Sequence, residues 1–302
     1  MNRIALAGLL SLTVASPSAP AETPAAEEPP TMAAVLDAST AADWQVLDQD
    51  RLLYLFIERG VAVFELAPDF APRHVANLRK LADAQYWDGL AILRSQDNYV
   101  VQWGDPRAGT DGARSHGTAD ESLEAEFFRD RHGVNFTPID SNDAYADEVG
   151  FVDGFPAASD GKRLWLAHCY AMLGAGRGNE TDSGSGAELY VVTGHAPRHL
   201  DRNVTLLGRV VQGVEHLSSL PRGGGPLGFY EDQSDRVRID RVRFGSDLPA
   251  AERLPLERLR TDTRTFERLV EARRNRVEDW FFDPSGRIEL CNVPLPVRVG
   301  SH

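Results

Sequence analysis

Among 302 residues, the stretch Leu93–Pro106, L-R-S-Q-D-N-Y-V-V-Q-W-G-D-P, sets Arg94 beside the aromatic Tyr99 and the amide Gln102, with valines between and a Gly-Asp-Pro turn after. Side chains alternate along an extended strand, so Tyr99 and Val101 share one face and Val100 and Gln102 the other. A guanidinium, an aromatic wall and an amide suit an uncharged peptide ligand. None of them is a strong acid, base or nucleophile at neutral pH, which points away from proton-shuttle and covalent chemistry.

The elements that must carry this stretch are readable on its N-terminal side. Leu52 onward alternates as L-L-Y-L-F-I-E, turns at Arg59-Gly60 and returns as V-A-V-F-E-L, a β-hairpin pattern. Pro72 suits the first turn of a helix, where its missing N–H is no loss. Val75, Leu78, Leu81 and Ala82 then repeat at helical spacing, ending near Gln85. One apolar face means that this helix caps a sheet or barrel.

A hydrophobic content of 42% with 25% charged residues is ordinary for a globular chain, and the net charge of −13 argues against a nucleic-acid partner. The N-terminus reads Arg3, the apolar run Ile4–Val14, then Ala19-Pro20-Ala21, the pattern of a secretory signal over 1–21. The apolar run is too short to span a bilayer. Export to a periplasm is the expectation, and it makes Cys169 and Cys291 candidates for one disulfide. The Ala-, Pro- and Glu-rich segment 22–43 reads as a disordered linker.

The order F-E-L-x-P-D-x-A-P, a helix with Asn77, Y-W-D-G and R-S-Q-D-N-Y-V-V-Q-W-G-D-P resembles the cyclophilin family of peptidyl-prolyl isomerases. The likeness continues in G-S-G-A-E-L-Y-V-V-T and in Leu200-Asp201-Arg202-Asn203 before L-L-G-R-V-V-Q-G-V-E, covering about 52–220. It implies a mainly β fold: an eight-stranded antiparallel barrel capped by two helices over 44–248, needing no cofactor or metal.

By the same resemblance Arg94 stands at the catalytic arginine and Gln102 at the glutamine that holds substrate and orients it. Tyr99 and Tyr190 stand at two phenylalanines of the proline pocket, Val100 at a methionine, Leu200 at the pocket leucine and Glu188 at a glutamine. Cys169 and Tyr170 would line the rim, and His199 or Arg198 falls near a tryptophan. The implied partners are proline-containing unfolded or flexible polypeptides. The implied activity is prolyl cis–trans isomerisation in the folding of exported proteins, with a non-catalytic proline-peptide binding or chaperone module as the alternative.

Two other constellations weigh less. His168 and Ser183 are separated by a short Gly-rich loop, unlike the serine proteases that draw them from different barrels. His195 and His199 flank Pro197, which keeps them off one helix face, and no second cluster supplies further metal ligands. Outside the resemblance lie an insertion at about 107–161, with an acidic helix-like run A-D-E-S-L-E-A-E-F-F, and a C-terminal extension, 249–302. The extension reads as a helix from Ala250 to about Trp280, followed by a tail expected to pack back on the barrel and cover Trp280, Phe281 and Phe282.

Overall fold

Leucines at both parities of Leu52–Ile57 leave only Phe56 partly exposed, so this strand must be covered on two sides. A computed structural model, which describes residues 30–300, shows how; the expected signal segment 1–21 lies outside the described residues. Eight antiparallel strands close a barrel, in the order Met172–Ala175, Leu189–Val192, Val100–Gly104, Ala91–Ser95, Val237–Phe244, Leu52–Ile57, Gly60–Leu66 and Leu206–Gln212. Leu53, Leu55, Phe64, Leu66, Val101, Trp103 and Val191 fill its interior. Helix Pro72–Asp83 and the short helix Glu215–Ser218 close the ends with Leu78, Leu81 and Leu217. Among the described residues no helix is long and apolar enough to cross a membrane.

Two further layers cover the outside. The insertion folds into a five-stranded antiparallel sheet, with Arg163–Leu166, Phe155–Ser159 and Glu148–Val152 at its centre. Its Phe151, Leu164 and Trp165 pack with Tyr190 and Val192 of the barrel wall. The opposite flank is covered by a three-stranded sheet of Trp44–Val46, Leu256–Leu259 and Val297–Val299, which buries Leu256 with Leu52, Tyr54 and Val63. Buried Arg258 joins all three layers, donating to Glu65 of the barrel at 2.9 Å and to Asp153 of the insertion. Gly154 is glycine for this reason: its φ is +79°, and a Cβ there would sit 2.6 Å from the Arg258 guanidinium.

Four expectations are corrected. Residues 32–37 of the expected linker form a helix whose Val35 is buried in the same core as the C-terminal helix. The acidic run is not helical but lies as an extended strap over the start of helix Pro72–Asp83. There Glu126 accepts from the Arg73 and His74 backbone N–H groups at 3.1 and 3.0 Å, and Asn77 brackets Asp120. The N-terminal N–H groups of a helix attract a carboxylate, and Ala71 has no side chain to cap them.

The expected 250–280 helix is confined to Arg264–Arg274, capped by Thr263. Pro255 biases the preceding residue away from helix, and Leu256–Leu259 is drawn into strand pairing with Gln45 and Arg298 as neighbours. The tail does pack back through buried Ile288, Leu290 and Val293, yet Trp280 and Phe282 stay exposed.

Cys169, at the edge of the insertion, and Cys291, in the tail, form a disulfide with Cα atoms 5.0 Å apart across a sequence separation of 122. Cross-linking residues so far apart restricts the unfolded chain. Replacing both cysteines by alanine is expected to lower unfolding free energy by about 2–4 kcal/mol, read as a lower urea midpoint; an unchanged midpoint would show that the bridge contributes nothing.

Candidate functional site

Four adjacent barrel strands carry the site in one row. Their register pairs Gly174 with Tyr190, Tyr190 with Gln102, and Gln102 with Arg94. Directly opposed residues on neighbouring strands point to the same face, and Val101, Trp103 and Val191 take the inner positions, so this row faces outward. Arg94 reaches it because the register shifts between Ile92 and Arg94. With strict alternation Ile92 and Arg94 would both point inward; a bulge re-aims the arginine.

The guanidinium is then fixed from several sides. Nε donates to the Leu227 carbonyl at 2.7 Å, one terminal nitrogen to Gln102 Oε1 at 2.9 Å, and the other to Gln96 Oε1. The Tyr99 and Phe229 rings lie 5.5 Å from its carbon. Burial lowers the Arg94 pKa, opposed by Tyr99 and Glu188; an arginine remains charged nonetheless. Gln102 turns its NH₂ to Glu188 Oε1, which fixes the orientation of its amide. Burial pushes the Glu188 carboxyl up, against the pull of Gln102 and Arg94. Gly176 leaves room for this pair, since a Cβ there would meet Glu188 at 3.1 Å and Gln102 at 3.3 Å.

A cleft of about 300 Å³ opens beside Arg94, walled by Tyr99, Val100, Tyr190, Leu200 and Val204, with Ala175–Gly178 along one rim. Tyr190 can lie in the wall because its cross-strand partner is Gly174: a Cβ there would stand 2.4 Å from the phenol oxygen. The buried hydroxyl meets His168 Nε2 at 2.8 Å, and His168 Nδ1 lies 2.9 Å from Asp201 Oδ1. Asp201 also accepts from the His168 backbone N–H at 2.9 Å and from Arg198 Nε at 2.6 Å. Arg198 in turn grips Asp143 of the insertion at 2.8 and 3.1 Å. An acceptor-only carboxylate at Nδ1 makes His168 a donor there, leaving Nε2 to accept from Tyr190 in the neutral ring.

Of the residues singled out from the sequence, Arg94, Gln102, Tyr99, Val100, Tyr190 and Leu200 meet at this cleft, and Glu188 does not line it but holds Gln102. His199 stacks its ring on Tyr99 at a centroid distance of 6.5 Å. Cys169 and Tyr170 do not join them. Both precede strand Met172–Ala175, Cys169 is buried in the disulfide, and Tyr170 opens on a separate cleft with Tyr145 and His195. The rim is made instead by Ala175–Gly178, at the other end of that strand.

The wall residue Val204 and the partners of Arg94 in the loop Leu227–Phe229 were not assigned a site role from sequence; the Gly223–Gly225 run marks that loop only as a turn. His168 and Ser183 are far from a protease arrangement, as Ser183 Oγ is spent on the Gly178 N–H and the Glu180 carbonyl.

Barrel, row and cleft define a class, and comparison with known proteins agrees with it. Residues 53–243 match the family model "Cyclophilin type peptidyl-prolyl cis-trans isomerase/CLD", and the chain belongs to that family. It is 27% identical over 172 residues to peptidyl-prolyl cis-trans isomerase B of Bacillus subtilis, covering 56% of this chain and 90% of the relative. To peptidyl-prolyl cis-trans isomerase-like 2 of Gibberella zeae it is 27% identical over 161 residues, 53% of this chain but 21% of the relative. A probable peptidyl-prolyl cis-trans isomerase of Brucella suis is 32% identical over 90 residues, 28% of this chain and 46% of the relative. Two of these matches thus span under half of the relative's length. The crystal structure of cyclophilin AquaCyp293 from Hirschia baltica shares the fold with a TM-score of 0.68 at 24% identity, over 86% of this chain and 95% of that one.

The support behind Tyr190 carries a pH signature. Burial depresses the His168 pKa below its ordinary 6.5, against the pull of Asp201. As pH falls through 6.5 the unfolded imidazole takes up a proton and the folded one does not, so stability is lost on the acid side. Thermal melts are expected to show Tm falling from about pH 6.5 downward, with a shallower fall in His168→Gln; parallel profiles for the two proteins would refute the buried neutral imidazole.

Proposed function

We propose that the protein is a peptidyl-prolyl cis–trans isomerase that acts on proline-containing segments of unfolded or flexible exported proteins. Family membership supports the activity, and the observation that carries it is a charged, anchored Arg94 on the lip of a cleft walled by Tyr99, Val100, Tyr190 and Leu200. Rotation about a peptide bond faces a barrier of about 18–20 kcal/mol because the nitrogen shares its lone pair with the carbonyl. As the bond twists, the lone pair localises on nitrogen and becomes a hydrogen-bond acceptor. A guanidinium beside it donates more strongly to the twisted amide than to the planar one, which is the condition for catalysis.

Tyr99, Val100, Tyr190 and Leu200 hold the pyrrolidine ring in this reading, while Gln102 holds the peptide and orients Arg94. No proton changes hands. Export is supported by the Arg3, Ile4–Val14, Ala19–Ala21 pattern and by the Cys169–Cys291 bridge, which persists in an oxidising compartment.

One observation favours a second reading, a proline-peptide binding module with little turnover: Gln96 and the Leu227 carbonyl already occupy two Arg94 donor groups. A protease-coupled assay on a proline peptide separates the two. Arg94→Ala is expected to lower kcat/KM by roughly 10² or more, the scale of losing one transition-state donor. Peptide binding with turnover no faster in the wild type than in the variant would establish the module instead.

A further inference from the structure

The outer face that carries Arg94 continues along the same strands to a second row. Ala91 pairs with Gly104 on one side and with Arg238 on the other. Paired positions share a face, and a Cβ on Gly104 would meet Glu188, the partner of Gln102, so this row lies on the same outer surface as Arg94 and Gln102. Gln102 and Gly104 are two residues apart and Arg94 and Ala91 three, which places the rows roughly 7–10 Å from each other.

At the second row lies a cleft of about 290 Å³ lined by Asp105, Arg107, Arg114, Gln233, Arg236 and Arg238. Four arginines line it with one carboxylate, on a chain whose net charge is −13. That carboxylate is committed: Asp105 is buried and accepts from the backbone N–H groups of Arg107 at 2.9 Å and Arg114 at 2.5 Å, which fixes the loop carrying both arginines. Arg114 is anchored through one terminal nitrogen on the Tyr86 and Asp88 carbonyls, at 2.9 and 2.6 Å. Among the described residues neither Arg236 nor Arg238 forms an ion pair, and the buried Nε of Arg236 has no hydrogen-bond partner. Like charges held together in this way call for an external counter-charge, and guanidiniums take carboxylates in a planar, two-pronged grip.

We propose that this cleft is a specificity subsite that takes an acidic side chain of the polypeptide whose proline occupies the Arg94 cleft. The proposal rests on the isomerase reading for its substrate. At about 3.3–3.6 Å per extended residue, the separation of the rows sets the acidic residue two or three positions from the proline.

The test uses the full chain and two pairs of dansyl-labelled peptides carrying one X-Pro bond, with Glu or Gln at both the second and third positions before the proline in one pair and at both the second and third positions after it in the other. Wild type is expected to bind the Glu member of one pair roughly fivefold more tightly than its Gln twin, the scale of one accessible ion pair. That preference should vanish in Arg236→Gln/Arg238→Gln and fade with added salt, while kcat on the Gln peptides stays at the wild-type value. Both arginines are at least partly exposed, so melting curves should coincide. Equal affinities within both pairs, no binding of either, or a preference that survives the double substitution would overturn the subsite. Loss of turnover on every peptide would count against the isomerase reading alone, because the subsite is judged on the ratio of affinities.

Discussion

The Asp201 carboxylate is the constraint on which the cleft depends. It is nearly inaccessible to solvent, and burial alone would disfavour its charge. Hydrogen bonds from His168 and the guanidinium of Arg198 hold its pKa below the usual carboxylate range instead. A buried charge left without partners costs several kcal/mol, so each group it engages is fixed in place. Those groups belong to different parts of the chain: His168 follows the insertion sheet, Arg198 lies in the turn leading to Leu200, and Trp165 Nε1 also lies within 3.4 Å. Through His168 the constraint reaches the Tyr190 hydroxyl in the cleft wall. Burial pushes that hydroxyl's pKa up and keeps it a neutral donor.

A tyrosine in an apolar wall needs two accommodations, one for bulk and one for its oxygen. Gly174 supplies the first and His168 the second. Neither works alone: without the glycine the ring has no room, and without the imidazole a hydroxyl is buried with no partner. The insertion that adds a sheet over Tyr190 and Val192 also brings Asp143 to Arg198, so the extra layer supports the wall electrostatically as well as by packing.

Local patterns reached the fold wherever a single element decides its own form. The Leu52–Leu66 hairpin, the helix begun by Pro72, and the nearness of Arg94 to Gln102 follow from alternation, a fixed φ and a contiguous motif, whereas the face on which Arg94 emerges is set by the bulge. What failed to read is what depends on partners distant in sequence. Leu254, Leu256 and Leu259 are compatible with a helix until Gln45 and Arg298 offer strand pairing. The run around Glu124 carries helix formers, yet the exposed N–H groups of Arg73 and His74 recruit Glu126 and draw it out straight. The family resemblance puts Cys169 and Tyr170 at the rim, but a likeness of short motifs does not register that strand Met172–Ala175 intervenes before the rim, which begins at its last residue.

The bulge before Arg94 has a consequence for how such a site tolerates change. Because the shift between Ile92 and Arg94 alone turns the guanidinium outward, the residues that preserve it matter as much as the arginine. Leu93, just inside the shift, accepts the Tyr230 N–H at 2.9 Å, and Phe229 bridges Arg94 on the same loop. The Gly223–Phe229 loop therefore acts as a ninth, irregular partner to the edge of strand Ala91–Ser95, satisfying backbone groups that the bulge takes out of the ladder. Gly228 permits this close approach: its φ is +77°, and a Cβ would lie 2.6 Å from the Gln96 backbone. A loop that in sequence offers glycines, a proline and two apolar residues is thus part of the device that aims Arg94, and the orientation of one side chain is set by backbone more than a hundred residues away.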